Sequence, residues 1–245
     1  MKQGIFKITK NVNLTRDVML MTLSGDASAI TNPGQFINIK LDGKYLRRPI
    51  SVCFATNNEI TIIYKVVGHG TAQMSKMEIG QELDVLTGLG NGYDVSCSGD
   101  MPLLIGGGVG VPPLYMLAKE LIDLGKKVTV ILGFNTKSEI FYEKEFKDLG
   151  CDVFVTTVDG SYGTKGFVTA VMETLDYSYF YTCGPEPMLK AIYKASKTGG
   201  ELSFEERMGC GFGACMGCSC KTITGYKRIC KDGPVMKKEE ILWED

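Results

Sequence analysis

The chain is poor in several things at once. It has one histidine and one tryptophan in 245 residues. With no second imidazole to partner it, His69 reads as a turn residue rather than a catalyst or metal ligand. No apolar stretch is long enough to span a bilayer. The most apolar one, 103–117, is broken by Gly106, Gly107, Gly108, Gly110, Pro112 and Pro113. No apolar run follows Met1 to Lys7, as a signal peptide would require. There is no basic block and the formal net charge is −1, so neither nucleic acid nor an anionic membrane surface is an expected partner. Arginine is missing between Gly133 and Gly166, which bears on nucleotide choice. What the chain has in quantity is glycine, 30 residues, and cysteine, nine. Nine cysteines without a secretion signal point to a reducing, cytoplasmic setting and to metal or redox chemistry instead of disulfides.

Four of the cysteines form the sharpest pattern. Cys210, Cys215, Cys218 and Cys230 are spaced C-x4-C-x2-C-x11-C. The first three positions repeat the plant-type ferredoxin run that wraps a [2Fe–2S] cluster. The intervening glycines suit a loop that needs positive φ and close backbone approach to inorganic sulfide. Zinc is the rival reading, but structural zinc sites usually draw on two C-x2-C-like pairs and only one is present. Buried, unliganded thiols are the plainest alternative, and a Gly-rich loop is poor core material. Cys220, two residues beyond Cys218, is a neighbour or a competitor for ligation.

Length allows two domains and an appendage. From Gly4 to about residue 98 short apolar or alternating runs predict strands at 18–23, 35–41, 50–54, 60–67 and 82–86. Turn residues such as Asn32-Pro33-Gly34, Asp42-Gly43 and Asn57-Asn58 separate them. Strands so close together, without helices between them, predict a small antiparallel barrel. After residues 96–102 the rhythm changes. Strands are predicted at 103–105, 127–134, 152–158 and 179–183, and helices at 113–124, 141–149, 168–175 and 187–197. That alternation predicts a parallel sheet with helices on both faces. The expected domains are therefore a barrel over 1–98, an α/β domain over 99–200 and a cysteine-bearing module over 201–245.

Each part carries a candidate site. In the barrel, Arg48-Pro49-Ile50-Ser51 enters a strand with a forked donor suited to phosphate and a serine three residues on. Strand residues Ile63, Tyr64 and Lys65 lead to Gly68-His69-Gly70-Thr71, where a helix start offers amides and a hydroxyl to an anion. A surface arginine and an ordinary strand-to-helix turn would look the same. In the α/β part, Gly106 to Pro113 runs from an apolar strand through glycines into a helix. It contains G-x-G-x-x-P (Gly108, Gly110, Pro113) where the usual dinucleotide fingerprint has G-x-G-x-x-G. The glycines permit close approach of a pyrophosphate to a helix N-terminus, and the prolines suit its first turn. An unliganded Gly-rich turn is the alternative. Cys183, in Thr182-Cys183-Gly184-Pro185, ends the last strand and is expected at the same crevice as Gly108, or else as a small buried hydrophobe.

Taken in order, R-P-I-S, G-x-G-T, G-G-G-x-G-x-P-P and C-G-P-x-x-M resemble the ferredoxin-NADP reductase superfamily, which binds FAD on the barrel and a nicotinamide dinucleotide on the α/β half. The last block, Glu206-Arg207-Met208-Gly209-Cys210 through Cys220-Lys221 and Arg228-Ile229-Cys230-Lys231-Asp232-Gly233-Pro234-Val235, narrows this. It resembles the electron-transfer subunits of heteromeric, NAD-linked dihydroorotate dehydrogenases of pyrimidine (UMP) biosynthesis. The resemblance covers essentially the whole chain. It implies an antiparallel FAD-binding β-barrel, a parallel-sheet NAD-binding domain and a small C-terminal [2Fe–2S] module. It further implies that Arg48, Pro49, Ile50 and Ser51 hold the FAD pyrophosphate and flavin edge. Ile63, Tyr64 and Lys65 would line the FAD, and Gly70 and Thr71 would take its phosphates. Gly108 and Gly110 would cradle the NAD pyrophosphate, Cys183 would lie near the nicotinamide, and Cys210, Cys215, Cys218 and Cys230 would ligate the cluster.

On the same resemblance, dihydroorotate oxidation belongs to a separate FMN-bearing catalytic subunit. Electrons would pass from that FMN to the cluster, to FAD and to NAD+, in a heterotetrameric complex. Neighbouring readings are a sulfide dehydrogenase-like or an NADPH:ferredoxin oxidoreductase subunit. A colourless binding module with a zinc-stapled tail is the reading of a different class. For the nucleotide, NADP would call for an arginine after the second or third α/β strand. None is present there. Asp159 instead offers a carboxylate to ribose hydroxyls, although it also suits a turn before Gly160, and Lys137 and Lys165 are near enough in sequence to reach a phosphate. NAD is the expected cofactor.

Overall fold

The computed structural model describes residues 1–243, so only positions 244 and 245 of the expected cysteine module lie outside the described residues. Six antiparallel strands close into a barrel: β1 (Lys2–Asn13), β2 (Val18–Ser24), β3 (Phe36–Ile39), β4 (Arg48–Ala55), β5 (Glu59–Lys65) and β6 (Glu82–Leu89), in the order β1-β2-β5-β4-β3-β6. Closure leaves no strand edge unpaired. A one-turn-and-a-half helix, α1 (His69–Met74), lies between β5 and β6, and His69 is its exposed first residue. The barrel is filled from alternate positions of its strands, with Phe6, Ile8, Ile37, Ile39, Ile60, Ile62, Tyr64 and Val85 among the buried side chains. Strand β1 was not among the predicted strands. Lysine and asparagine dominate it, and only Phe6 and Ile8 of its twelve residues are buried.

The second part is a seven-stranded sheet in the order β10-β9-β8-β7-β11-β12-β15. Its strands are β7 (Pro102–Gly107), β8 (Thr129–Phe134), β9 (Asp152–Thr157), β10 (Thr164–Lys165), β11 (Tyr179–Cys183), β12 (Gly200–Ser203) and, after a hairpin of β13 (Ser219–Thr222) and β14 (Gly225–Arg228), β15 (Val235–Lys237). Helices α2 (Pro113–Asp123) and α3 (Glu143–Asp148) cover one face, and α4 (Val168–Met172) and α5 (Glu186–Ala195) the other. The sheet does not stop at residue 200. Strand β12 pairs parallel with β11, and β15 returns antiparallel to β12 with Ser203 opposite Val235. The cysteine-bearing segment 204–234 therefore leaves the sheet and comes back to it. Strand β12 also carries a buried carboxylate, Glu201, 3% exposed, which accepts a hydrogen bond from the Asp94 amide at 2.9 Å.

Two apolar seams join the parts. Val18, Leu20, Cys53 and Ile63 of the barrel share a core with Leu114, Leu117 and Phe146 of the α/β helices. Phe36, Leu86 and Leu89 share another with Cys218, Ile229 and Cys230. Between them the linker residue Tyr93, 2% exposed, donates its hydroxyl to the Thr182 carbonyl at 3.1 Å and meets Tyr181 edge-on at 5.6 Å. An aromatic buried this way both fills the seam and satisfies its own polar end. Among the described residues no helix is long and apolar enough to cross a membrane.

Candidate functional site

In the cysteine module the spacing folds into a tight loop. Gly211 at φ 80°, Gly213 at φ 91° and Met216 at φ 61° turn successive backbone amides toward the sulfurs. The Ala214 and Cys215 amides point at Cys210 Sγ, at 3.2 and 3.5 Å, and the Cys230 amide at Cys218 Sγ, at 3.4 Å. Burial alone would raise the Cys210 thiol. The amides of Phe212, Cys215 and Ala214 and the Cys215 thiol outweigh it and bring Cys210 down to about 6. Cys230 moves the other way, to about 12, through burial and then the neighbouring Cys218 and Cys210 sulfurs.

The four thiols thus stand as two pairs, Cys210 with Cys215 and Cys218 with Cys230. Among the described residues no three His, Cys, Asp or Glu side chains converge as on a single ion. All-sulfur donors in two pairs, with backbone amides aimed at one sulfur of each pair, fit a two-iron cluster. Cys220 is half-buried behind them on β13, its thiol pushed up by burial and then by Glu206.

Sequence reasoning missed how this loop is docked. Asn38 of β3 is 1% exposed among apolar neighbours, and its Nδ2 donates to the Cys210 carbonyl at 3.3 Å. A Cβ on Gly211 would stand 2.3 Å from that Nδ2, so glycine is required by contact as well as by φ. Asn38 faces Pro49 across the β3–β4 ladder, and proline cannot donate. Arg47 takes that place: its Nη1 donates to the carbonyls of Asn38, 3.3 Å, and Asp84, 3.0 Å, while Nη2 pairs with the Asp84 carboxylate at 2.9 Å. Asn38 Oδ1 is buried and has no hydrogen-bond partner among the described residues.

In the barrel, the structure brings Arg48 and Gly70 together. A Cβ on Gly70 would come within 2.3 Å of Arg48 Nε, so the guanidinium lies across the start of α1. Arg48 Nη1 also donates to the Leu46 carbonyl. The Thr71 hydroxyl accepts from the amides of Val67, 3.0 Å, and Gly68, 3.3 Å, serving the turn into α1. Ser51 and Ile50 are half-buried on β4, as is Pro49. Ile63 is packed into the interdomain seam and Tyr64 into the barrel, with its hydroxyl on Asn11 Oδ1 at 3.4 Å. Lys65 pairs with Asp17 at 3.1 Å. The Ile63 and Tyr64 side chains are both buried, 3% and 2% exposed.

At the C-terminal ends of the sheet strands, Gly108 has φ 53° and open space where a Cβ would stand. Gly110 is the opposite case, since a Cβ there would lie 2.2 Å from the Cys183 carbonyl oxygen. The turns after β7 and β11 thus pack backbone to backbone beside one crevice. The half-buried Cys183 thiol stands beside Ser203, and burial pushes it up to about 12. It stands there as a thiol rather than a thiolate. Asp159 is exposed and holds Ser161, accepting from its amide at 2.9 Å and its hydroxyl at 2.6 Å. Those bonds, the hydroxyl's first, keep the Asp159 carboxyl below its usual range. Both lysines gather at the same turn: the Lys165 side chain packs on Gly160, and Lys137 lies over the Tyr162 ring at 5.7 Å.

A Gly-rich crevice at a parallel sheet, a closed barrel against it and paired thiols behind both define an oxidoreductase of the iron–sulfur, nicotinamide-linked class. Comparison with known proteins agrees. Residues 205–242 match the iron–sulfur cluster binding domain of dihydroorotate dehydrogenase B, and residues 104–194 the oxidoreductase NAD-binding domain. The electron transfer subunit of dihydroorotate dehydrogenase B (NAD(+)) from Fusobacterium nucleatum subsp. nucleatum is 45% identical over 96% of each chain. Its counterpart from Bacillus pumilus is 46% identical over 98% of each. The chain belongs to this family of dihydroorotate dehydrogenase B electron transfer subunits. Among solved structures, an NADH-dependent reduced ferredoxin-NADP oxidoreductase studied for flavin-based electron bifurcation superposes with TM-score 0.89 at 31% identity, covering 98% of this chain and 90% of its own. A flavohemoglobin from Malassezia yamatoensis, TM-score 0.68 at 21% identity over 80% of this chain and 56% of its own, shares the barrel-plus-sheet fold.

Proposed function

We propose that the chain relays electrons between a dihydroorotate-oxidising, FMN-bearing catalytic subunit and NAD+ in UMP biosynthesis, as a subunit of a cytoplasmic heterotetramer. The observation that carries the reading is the placement of the paired thiols. They sit on a segment anchored in the nicotinamide-type sheet and bolted to the barrel by Asn38. Full-length identity to electron transfer subunits supports it, and nine cysteines, all free, suit a reducing compartment. When bound, a flavin exchanges a hydride pair with a nicotinamide and single electrons with an iron–sulfur centre.

Arg48 and the start of α1 form the anion-binding end of the barrel site, and the Pro49–Ser51 edge its rim. Gly108 leaves room for a pyrophosphate, while Gly110 lets the two crevice turns close on each other. Cys183, neutral and packed, lines the nicotinamide end by contact rather than by charge. Asp159 orders the ribose-side turn and disfavours a 2′-phosphate. The test is purification with co-expressed partner, a visible spectrum, and diaphorase activity with NADH and NADPH side by side. Flavin and cluster bands, a co-purifying FMN protein and a higher kcat/KM for NADH are expected. A colourless protein, or a preference for NADPH, would overturn the reading.

A further inference from the structure

The Arg228–Asp232 pair is used by nothing described so far, although it lies in the segment that marks the family. Arg228 Nε and Nη2 donate to the two oxygens of Asp232, at 2.9 and 3.1 Å, and Asp232 Oδ2 also accepts from the Arg228 amide at 2.9 Å. That fork leaves Nη1 aimed in one direction, and it donates to the Gly213 carbonyl at 3.0 Å. The other side of the same peptide unit is the Ala214 amide, which points at Cys210 Sγ from 3.2 Å. One peptide plane therefore has a guanidinium on its oxygen and a cysteine sulfur on its N–H. Gly213 is buried and its φ of 91° is what presents the plane this way round. A Cβ there would stand 2.6 Å from the Lys231 side chain, so the plane is held from a second direction.

A hydrogen bond accepted at a carbonyl polarises the peptide and strengthens the bond its N–H donates. A charged donor does so more than a neutral one. Donors to cluster sulfurs stabilise the more negative, reduced state and raise the reduction potential. We propose that Arg228 is a positioning residue that tunes the cluster potential through the Gly213–Ala214 peptide, with Asp232 fixing the angle and damping the charge. The inference rests on Cys210 being a cluster ligand, and loss of the cluster in Cys210→Ala checks that point separately. A cluster retained in Cys210→Ala would overturn both.

The experiment is an EPR-monitored redox titration of the holoprotein, with the flavin potential as internal reference. Arg228→Lys keeps a positive charge but cannot hold Asp232 and reach Gly213 together. It is expected to lower the equilibrium constant for reducing the cluster about tenfold, or about 59 mV for one electron. Asp232→Asn leaves the guanidinium less neutralised and is expected to shift the potential the opposite way. Pulsed EPR in D2O should show a weaker exchangeable-deuteron coupling in Arg228→Lys. A wild-type potential in Arg228→Lys would mean that charge alone matters, and would overturn the peptide route. If that variant does not load a cluster, Asp232→Asn decides: an unchanged or lowered potential there refutes the proposal.

Discussion

Removing the charge of Glu201 should stabilise this protein, and only on the alkaline side. Burial raises the Glu201 carboxyl from 4.5 to about 7; the Asp94 amide opposes this, the Asp94 charge adds to it, Lys237 across the ladder opposes it and Glu239 adds to it. An acid raised by folding is protonated in both states at low pH and adds no penalty. As the pH climbs from 4.5 through about 7, the unfolded chain ionises first and stability is lost. The gap corresponds to about 3 kcal/mol once both states are ionised. Glu201→Gln keeps an oxygen for the Asp94 amide and the volume of the side chain. Thermal melts of the two proteins at pH 4 and pH 8.5 should nearly coincide at the lower pH. At the higher pH the variant should melt about 6–12 °C higher, given the usual conversion for a chain of this size. An equal gap at both values, of either sign, would refute the argument, because repacking does not titrate.

Other perturbations address the redox sites directly. Alanine at Cys210, Cys215, Cys218 or Cys230 should each abolish the [2Fe–2S] EPR signal while Cys220→Ala retains it, so an iron-replete Cys230→Ala would make Cys220 the fourth ligand. If Arg48 holds the FAD pyrophosphate as proposed, Arg48→Ala would remove a charge-assisted contact of about 1.5–3 kcal/mol, and FAD retained per chain after gel filtration should fall about tenfold or more. Full occupancy would remove Arg48 from the site. Gly110→Ala drives a methyl into the Cys183 carbonyl, and should depress NADH-dependent flavin reduction at least tenfold in stopped flow with the cluster spectrum intact. Reduction at the wild-type rate would show that the two crevice turns need not touch.

Local patterning made much of this legible. The short apolar or alternating runs of β2 through β6, the strand-helix rhythm after residue 102 and the glycines of the βα turn are each written in a few consecutive residues. The cysteine spacing is local too. What stayed hidden is non-local. Strand β1 has lysines and asparagines where strands usually have β-branched residues, and it exists because β2 and β6 need a partner on each side to close the barrel. Asn38 sits in Phe-Ile-Asn-Ile and looks like a flaw until Cys210, 172 positions away, takes its amide. Arg47 reads as half of an Arg-Arg pair, and its work follows from the hydrogen that Pro49 does not have. Asp159 is a turn former in its bonds, whatever it does for a ribose. Ile63 and Tyr64 are neighbours in sequence but pack into different cores, because a strand sends neighbouring side chains to opposite faces.

The pairing of Ser203 with Val235 gives the cysteine segment an unusual portability. Its two ends lie on adjacent strands about 5 Å apart, the spacing of a hairpin. In chain terms the segment is a long connection between two paired strands rather than a free tail. Its host sheet would be complete with a short turn in its place. Cutting the chain after residue 203 is a different operation, since it removes β15 and opens the β12 edge. A graft of residues 204–234 between the edge strands of another such reductase would arrive with its ends already in register. It would still lack its bolt unless the recipient's barrel carried an asparagine where Asn38 stands.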